Sequence, residues 1–114
     1  MPQLKIQTNV EIDPSRREDL IHKASSEVAD MLGKPEKFVM IILETECDMS
    51  MSGSTEACAY LELKSIGLPQ DRTTEFSSRL CNFIEAHLAI APERTYIEFT
   101  DIERHLFGWD SKTF

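Results

Sequence analysis

The residue with the clearest chemical potential is Pro2, which follows the initiator Met1. Removal of Met1 would turn the Pro2 nitrogen into a secondary amine held by its own ring. Such an amine can act as a general base once burial or nearby cations destabilise its protonated form. With Met1 attached, the nitrogen belongs to an amide and has no basicity. Proline at the second position is common for other reasons, so the rest of the chain must decide. Cys47, Cys58 and Cys81 are odd in number and form no CxxC pair, which suits reduced thiols better than a disulfide framework. His22, His87 and His105 lack ligand spacing. Neither a metal nor a cofactor is expected.

The elements that would position Pro2 fall into two similar halves. Leu4 to Val10 alternates in a strand pattern. Asp13-Pro14-Ser15 supplies helix-start chemistry, with Ser15 and Glu18 matching a capping box. Leu20, Ile21, Ala24, Val28, Met31 and Leu32 follow as a stripe of helical period, which Gly33 and Pro35 end. Phe38 to Leu43 reads as a buried strand, and Glu44 to Thr55 as a connection with a short helical turn. Ala57 to Ser65 reads as a strand and Gly67, Pro69 and Asp71 as a turn. Thr73 to Leu88 reads as a helix with Phe76, Leu80, Phe83, Ile84 and Leu88 on one face. Thr95 to Thr100 is the fourth strand, and Ile102 to Phe114 a tail. Cys81 reads as a small buried helix residue.

Lys34-Pro35-Glu36-Lys37 and Ala91-Pro92-Glu93-Arg94 are offset by 57 residues, half of the 114-residue chain. The same offset places Leu4 and Ile6 on Leu61 and Leu63. We therefore expect one α+β domain over residues 1–114, built as two tandem β-α-β units, about 1–57 and 58–114. Right-handed crossovers put both helices on one face of a four-stranded mixed sheet. The run Phe38 to Leu43 is apolar on both of its faces. An uncovered apolar sheet face calls for burial by another copy of the chain, hence a homo-oligomer of cyclic symmetry. The alternative is that the tail folds back over it.

The formal net charge of −8 argues against nucleic-acid binding and against attachment to anionic membranes. No apolar run approaches the roughly 20 residues of a membrane span. Met1 to Val10 has no signal-peptide apolar core. A cytoplasmic setting is expected.

Several short motifs, in this order and spacing, resemble the macrophage migration inhibitory factor family of the tautomerase superfamily. They are Pro2, Gly33-Lys34-Pro35, Ser52-Gly53-Ser54 with Glu56 and Cys58, and Ser65-Ile66-Gly67. Pro92-Glu93-Arg94 with Tyr96-Ile97, and Gly108-Trp109 ending in Thr113-Phe114, complete the set. The resemblance implies a trimer of two-unit subunits and keto–enol tautomerisation of small aromatic 2-oxo acids such as phenylpyruvate. It implies Pro2 as the general base, Lys34 as the cation for the substrate carboxylate, and the Ile66 main chain as a binding element. Tyr96 of a neighbouring subunit would form an aromatic wall, with Phe38, Phe107, Trp109 and Phe114 as further lining. Family members also act as cytokines, exported without a signal peptide, so a receptor-binding trimer with a vestigial pocket is the second reading.

Three positions depart from the animal pattern. Glu98 stands where an asparagine is usual and brings a carboxylate toward an anionic substrate. Cys58-Ala59-Tyr60-Leu61 lacks the second thiol of a dithiol motif, which removes the oxidoreductase reading. Phe38 replaces a tyrosine at the rim. Singly, each residue also has a plainer role: Lys34 as a helix C-terminal cation, Trp109 and Phe114 as core or interface, Tyr96 and Glu98 as a half-exposed edge pair, Ile66 as a packing residue before a glycine turn.

Overall fold

A computed structural model describes residues 1–114. Its elements are β1 (Pro2–Thr8), α1 (Pro14–Leu32), β2 (Met40–Glu44), β3 (Ala59–Ile66), α2 (Thr73–Leu88), β4 (Thr95–Ile102), β5 (Gly108–Trp109) and β6 (Lys112–Thr113). The order β-α-β thus occurs twice. The main sheet runs β2-β1-β3-β4. β1 is parallel to β2, β3 is parallel to β4, and the central pair β1–β3 is antiparallel. The architecture is α+β, with two helices on a four-stranded mixed sheet. No helix is long and apolar enough to cross a membrane.

The core lies between the helices and one sheet face. Leu20, Ala24, Val28, Met31 and Leu32 of α1 are buried, as are Phe76, Leu80, Phe83, Ile84 and Leu88 of α2. They meet Leu4 and Ile6 of β1 and Leu61 and Leu63 of β3, all at or near full burial. Arg79 of α2 ties the helices together, donating to Glu27 and to Asp30 of α1 at 3.0 Å each.

Several boundaries differ from the sequence reading, each for a local reason. β1 begins at Pro2, because pairing with β3 continues to Pro2 opposite Ser65. It ends at Thr8, whose hydroxyl donates to the Cys58 carbonyl at 2.7 Å and accepts from the Val10 amide at 3.2 Å. Helix α1 is capped by Asp13, which accepts from the Ser15 amide at 2.9 Å, rather than by a Ser15–Glu18 box. Glu36–Phe38 is a 3-10 turn, so β2 starts only at Met40. Residues 44–55 contain no helical turn. Met51 and Ser54 instead form a small antiparallel bridge, and the Arg94 guanidinium donates to the carbonyls of Met51, Ser54, Glu56 and Ala57 at 2.7–3.3 Å. Cys81 is half-buried, not buried, because it faces a groove between α2 and β4.

The expected apolar open face is a correction. Register places Gln3, Lys5 and Gln7 on that face with Tyr60, Glu62 and Lys64, and beside them Tyr96, Glu98 and Thr100. Of the run Phe38 to Leu43, only Met40 and Ile42 fall there. Ile41 and Leu43 pack on the core, and Phe38 leaves the sheet in the 3-10 turn. The open face is therefore mostly polar and does not by itself demand a covering subunit.

The tail does not cover it either. After a 3-10 turn at Arg104–Leu106, β5 and β6 form a two-residue hairpin. Its turn residues Asp110 and Ser111 have φ of 53° and 61°, the left-handed pair of a type I′ turn. The Phe114 amide closes it with a 3.1 Å bond to the Phe107 carbonyl.

Candidate active site

The start of β1 is the point on which the candidate residues converge. Pro2 is fully buried, with the half-buried Met1 over it. Beside it the C-terminus of α1 closes in a Schellman arrangement. Gly33, at φ 63°, donates to Asp30 at 3.3 Å, and Lys34 donates to Ala29 at 3.0 Å. Only a residue without a Cβ takes that conformation cheaply, so Gly33 fixes where the Lys34 side chain leaves the helix. Because β3 runs antiparallel to β1, its last residue, Ile66, arrives at the same end. Asp101 secures the following turn, accepting from the Leu68 amide at 3.1 Å and from Gln70 at 2.8 Å.

Two cavities flank Met1. One, of about 330 Å³, is lined by Pro2, Lys37, Phe38, Phe107, Trp109 and Phe114, among others. The other, of about 230 Å³, is lined by Lys34, Pro35, Ile66 and Arg104. Met1, Phe38 and Phe114 line both and form the partition between them. The first lobe is aromatic. Trp109 and Phe114 stack with centroids 5.3 Å apart, and Phe38 meets them edge-on at 5.5 and 6.1 Å. Lys37 and Lys112 lie over Phe38 and Trp109 at 5.0 and 5.3 Å from the ring centroids. The second lobe is cationic. No Asp or Glu side chain lines either lobe.

The electrostatics follow from this setting. The terminal amine, here on Met1, is held below its ordinary value of 8.0 by burial first, then by the positive charges of Lys34 and Arg104. An amine at the same end after removal of Met1 would meet the same two cations. A larger groove, about 640 Å³, lies between α2 and β4, but hydroxyls and amides dominate its walls and no cation or carboxylate lines it. Volume alone is a poor guide here, and the chemistry favours the smaller pair of lobes.

Seven of the nine candidate residues gather at this end: Pro2, Lys34, Phe38, Ile66, Phe107, Trp109 and Phe114. Tyr96 and Glu98 do not. Tyr96 pairs with Tyr60, which pairs with Gln7, so it sits at the far end of the sheet from Pro2. It is 65% exposed. Glu98 accepts a hydrogen bond from the Tyr60 hydroxyl, which pushes the phenol far above its usual range. Sequence reasoning missed Arg104. It is placed by the β3–β4 register, which sets Ile102 beside Ile66 and leaves Arg104 two residues on.

Comparison with known proteins covers the whole chain. The profile of the macrophage migration inhibitory factor family matches residues 1–114. A macrophage migration inhibitory factor of Meriones unguiculatus is 33% identical, with 100% of this chain and 99% of that protein covered. A homolog from Brugia malayi is 36% identical with the same coverage. The crystal structure of the Prochlorococcus marinus homologue superposes with a TM-score of 0.92 at 42% identity, covering 98% of both chains. With its two β-α-β units and a family match over its whole length, this chain belongs to the macrophage migration inhibitory factor family of the tautomerase superfamily.

Proposed function

We propose that the protein, once Met1 is removed, is a keto–enol tautomerase for small aromatic 2-oxo acids of the phenylpyruvate type. The observation that carries this reading is the meeting of an aromatic lobe and a cationic lobe at the chain terminus. A phenylpyruvate-type molecule has the same order: a ring, one CH₂, then a carbonyl and a carboxylate. With the ring among Phe38, Trp109 and Phe114 and the acid head toward Lys34, the CH₂ falls at the Pro2 nitrogen. The free amine takes a proton from that carbon, the C–H electron pair forms the C=C bond, and the carbonyl π pair moves onto oxygen. Return of the proton to the oxygen gives the enol. Phe38, Trp109 and Phe114 keep water away, which strengthens the lysine–carboxylate contact.

The proposed working particle is a homotrimer, in which Tyr96 and Glu98 reach the site of a neighbouring subunit. Supporting this, both residues are exposed, Tyr96 toward the sheet end opposite Pro2 and Glu98 at mid-sheet beside Glu62, and the outer edges of β2 and β4 have no partner within the chain.

The test is phenylpyruvate enol–keto conversion by protein whose mass shows loss of Met1. Turnover is expected near neutral pH, falling as pH drops through the depressed amine value, because protonation removes the base. No rate above buffer between about pH 5 and 8 would remove the proposal, since an amine below its reference value must titrate there.

Glu98 supplies a second measurement. Its carboxylate stays an acceptor for Tyr60, so its negative charge would face an anionic substrate. Glu98→Asn is expected to lower KM for phenylpyruvate severalfold, by roughly 1 kcal/mol of relieved repulsion. A rise in KM would show that Glu98 helps hold the substrate.

A further inference from the structure

We infer that Arg104 is a second catalytic cation of this site, donating to the C2 oxygen on which charge develops while Lys34 holds the carboxylate. The inference rests on the tautomerase reading above and names a residue that the resemblance does not supply.

Charge counting motivates it. A 2-oxo acid enters with one negative charge on its carboxylate. Loss of the CH₂ proton to the Pro2 amine leaves the electron pair delocalised onto the C2 oxygen, so the enolate carries two negative charges. One cation answers the ground state; a second is needed only as the new charge appears. The lobe that would receive the acid head contains two, Lys34 and Arg104, with Ile66 and Phe114 as its apolar walls.

Neither cation is held by an Asp or Glu side chain. The chain has 20 carboxylates against 12 lysines and arginines, and most of its ion pairs tie up surface cations. Neither Lys34 nor Arg104 is in any of them. The one hydrogen bond of the Arg104 side chain is a long one, 3.4 Å to the Phe114 main-chain oxygen. A planar guanidinium can leave that contact and offer parallel N–H donors to neighbouring oxygens, as a 2-oxo acid presents them. Donors aimed at an oxygen that gains charge stabilise the transition state more than the bound substrate.

The same geometry predicts the readouts. In the processed protein, Arg104→Gln is expected to lower kcat at the pH plateau by roughly a hundredfold, the usual loss for one oxyanion donor, with KM moved only a few-fold. Lys34→Gln is expected to act mainly on KM. Arg104→Lys should recover a large part of the lost kcat. Arg104→Gln should also carry the acid limb of kcat/KM to higher pH, because the amine loses one of the two cations that face it, Lys34 being the other. Cinnamate has the ring and carboxylate but no C2 oxygen, so its affinity should be the same for wild type and Arg104→Gln.

A retained kcat in Arg104→Gln would overturn the assignment. So would a parallel loss of cinnamate affinity, which would make Arg104 a carboxylate ligand. A fall in melting temperature that Arg104→Lys restores without restoring kcat would reduce it to a staple for Phe114. Absence of Pro2-dependent turnover in the wild type would instead overturn the tautomerase reading. Pro2-dependent turnover with an indifferent Arg104 would overturn this assignment alone.

Discussion

Pro2→Gly is expected to cost the processed protein about a hundredfold or more in kcat/KM for phenylpyruvate, within the range that general-base catalysis contributes. Glycine keeps an amine at the terminus but loses the ring that fixes the nitrogen against β3. Pro2 sits opposite Ser65, is fully buried and lines the aromatic lobe, so its ring would hold the proposed base in place there. Circular dichroism should be unchanged, because Leu4, Ile6 and the rest of β1 carry the packing. A variant that folds and turns over at the wild-type rate would place the base elsewhere. Protein that retains Met1 should be as inactive as a variant without a base, since its Pro2 nitrogen is an amide.

The second large effect concerns the scaffold. Phe76→Ala is expected to lower stability by about 3–5 kcal/mol, the usual loss for a buried phenylalanine. Phe76 is fully buried in α2, and the Arg72 guanidinium lies 5.0 Å from its ring centroid. Removing the ring leaves a void in the buried core and strips Arg72 of that contact. A domain of this size has about 5–15 kcal/mol in all, so the urea midpoint should fall steeply. The measurement must hold protein concentration fixed, because assembly would add to apparent stability. A midpoint within error of wild type would mean that α2 contributes little to the cooperative unit.

The helices and the order of strands could be read from the chain because they depend on local pattern. Phe76, Leu80, Phe83, Ile84 and Leu88 recur at helical spacing and are all buried in α2. What failed depends on register or on tertiary contacts. The run Phe38 to Leu43 looks two-faced, but one 3-10 turn takes Phe38 out of the sheet and leaves two apolar residues on the open face. Asp110 and Ser111 adopt the left-handed turn without the Asn-Gly or Asp-Gly signature that marks such hairpins. At the site, Pro2, Lys34, Trp109 and Phe114 stand in motifs, and Phe38 and Phe107 follow from the resemblance. Arg104 lies outside every motif, and only the pairing of Ile66 with Ile102 brings it near. Tyr96 and Glu98 were named from resemblance, and a single chain keeps them apart from the rest.

Met1 is shared by the walls of both lobes, so its removal frees the imino group and takes away one of the three residues that separate the two compartments. A preparation with mixed amino termini should then hold only two kinds of site, competent and silent. Its maximal velocity would scale with the trimmed fraction measured by mass spectrometry, while KM stays constant across batches.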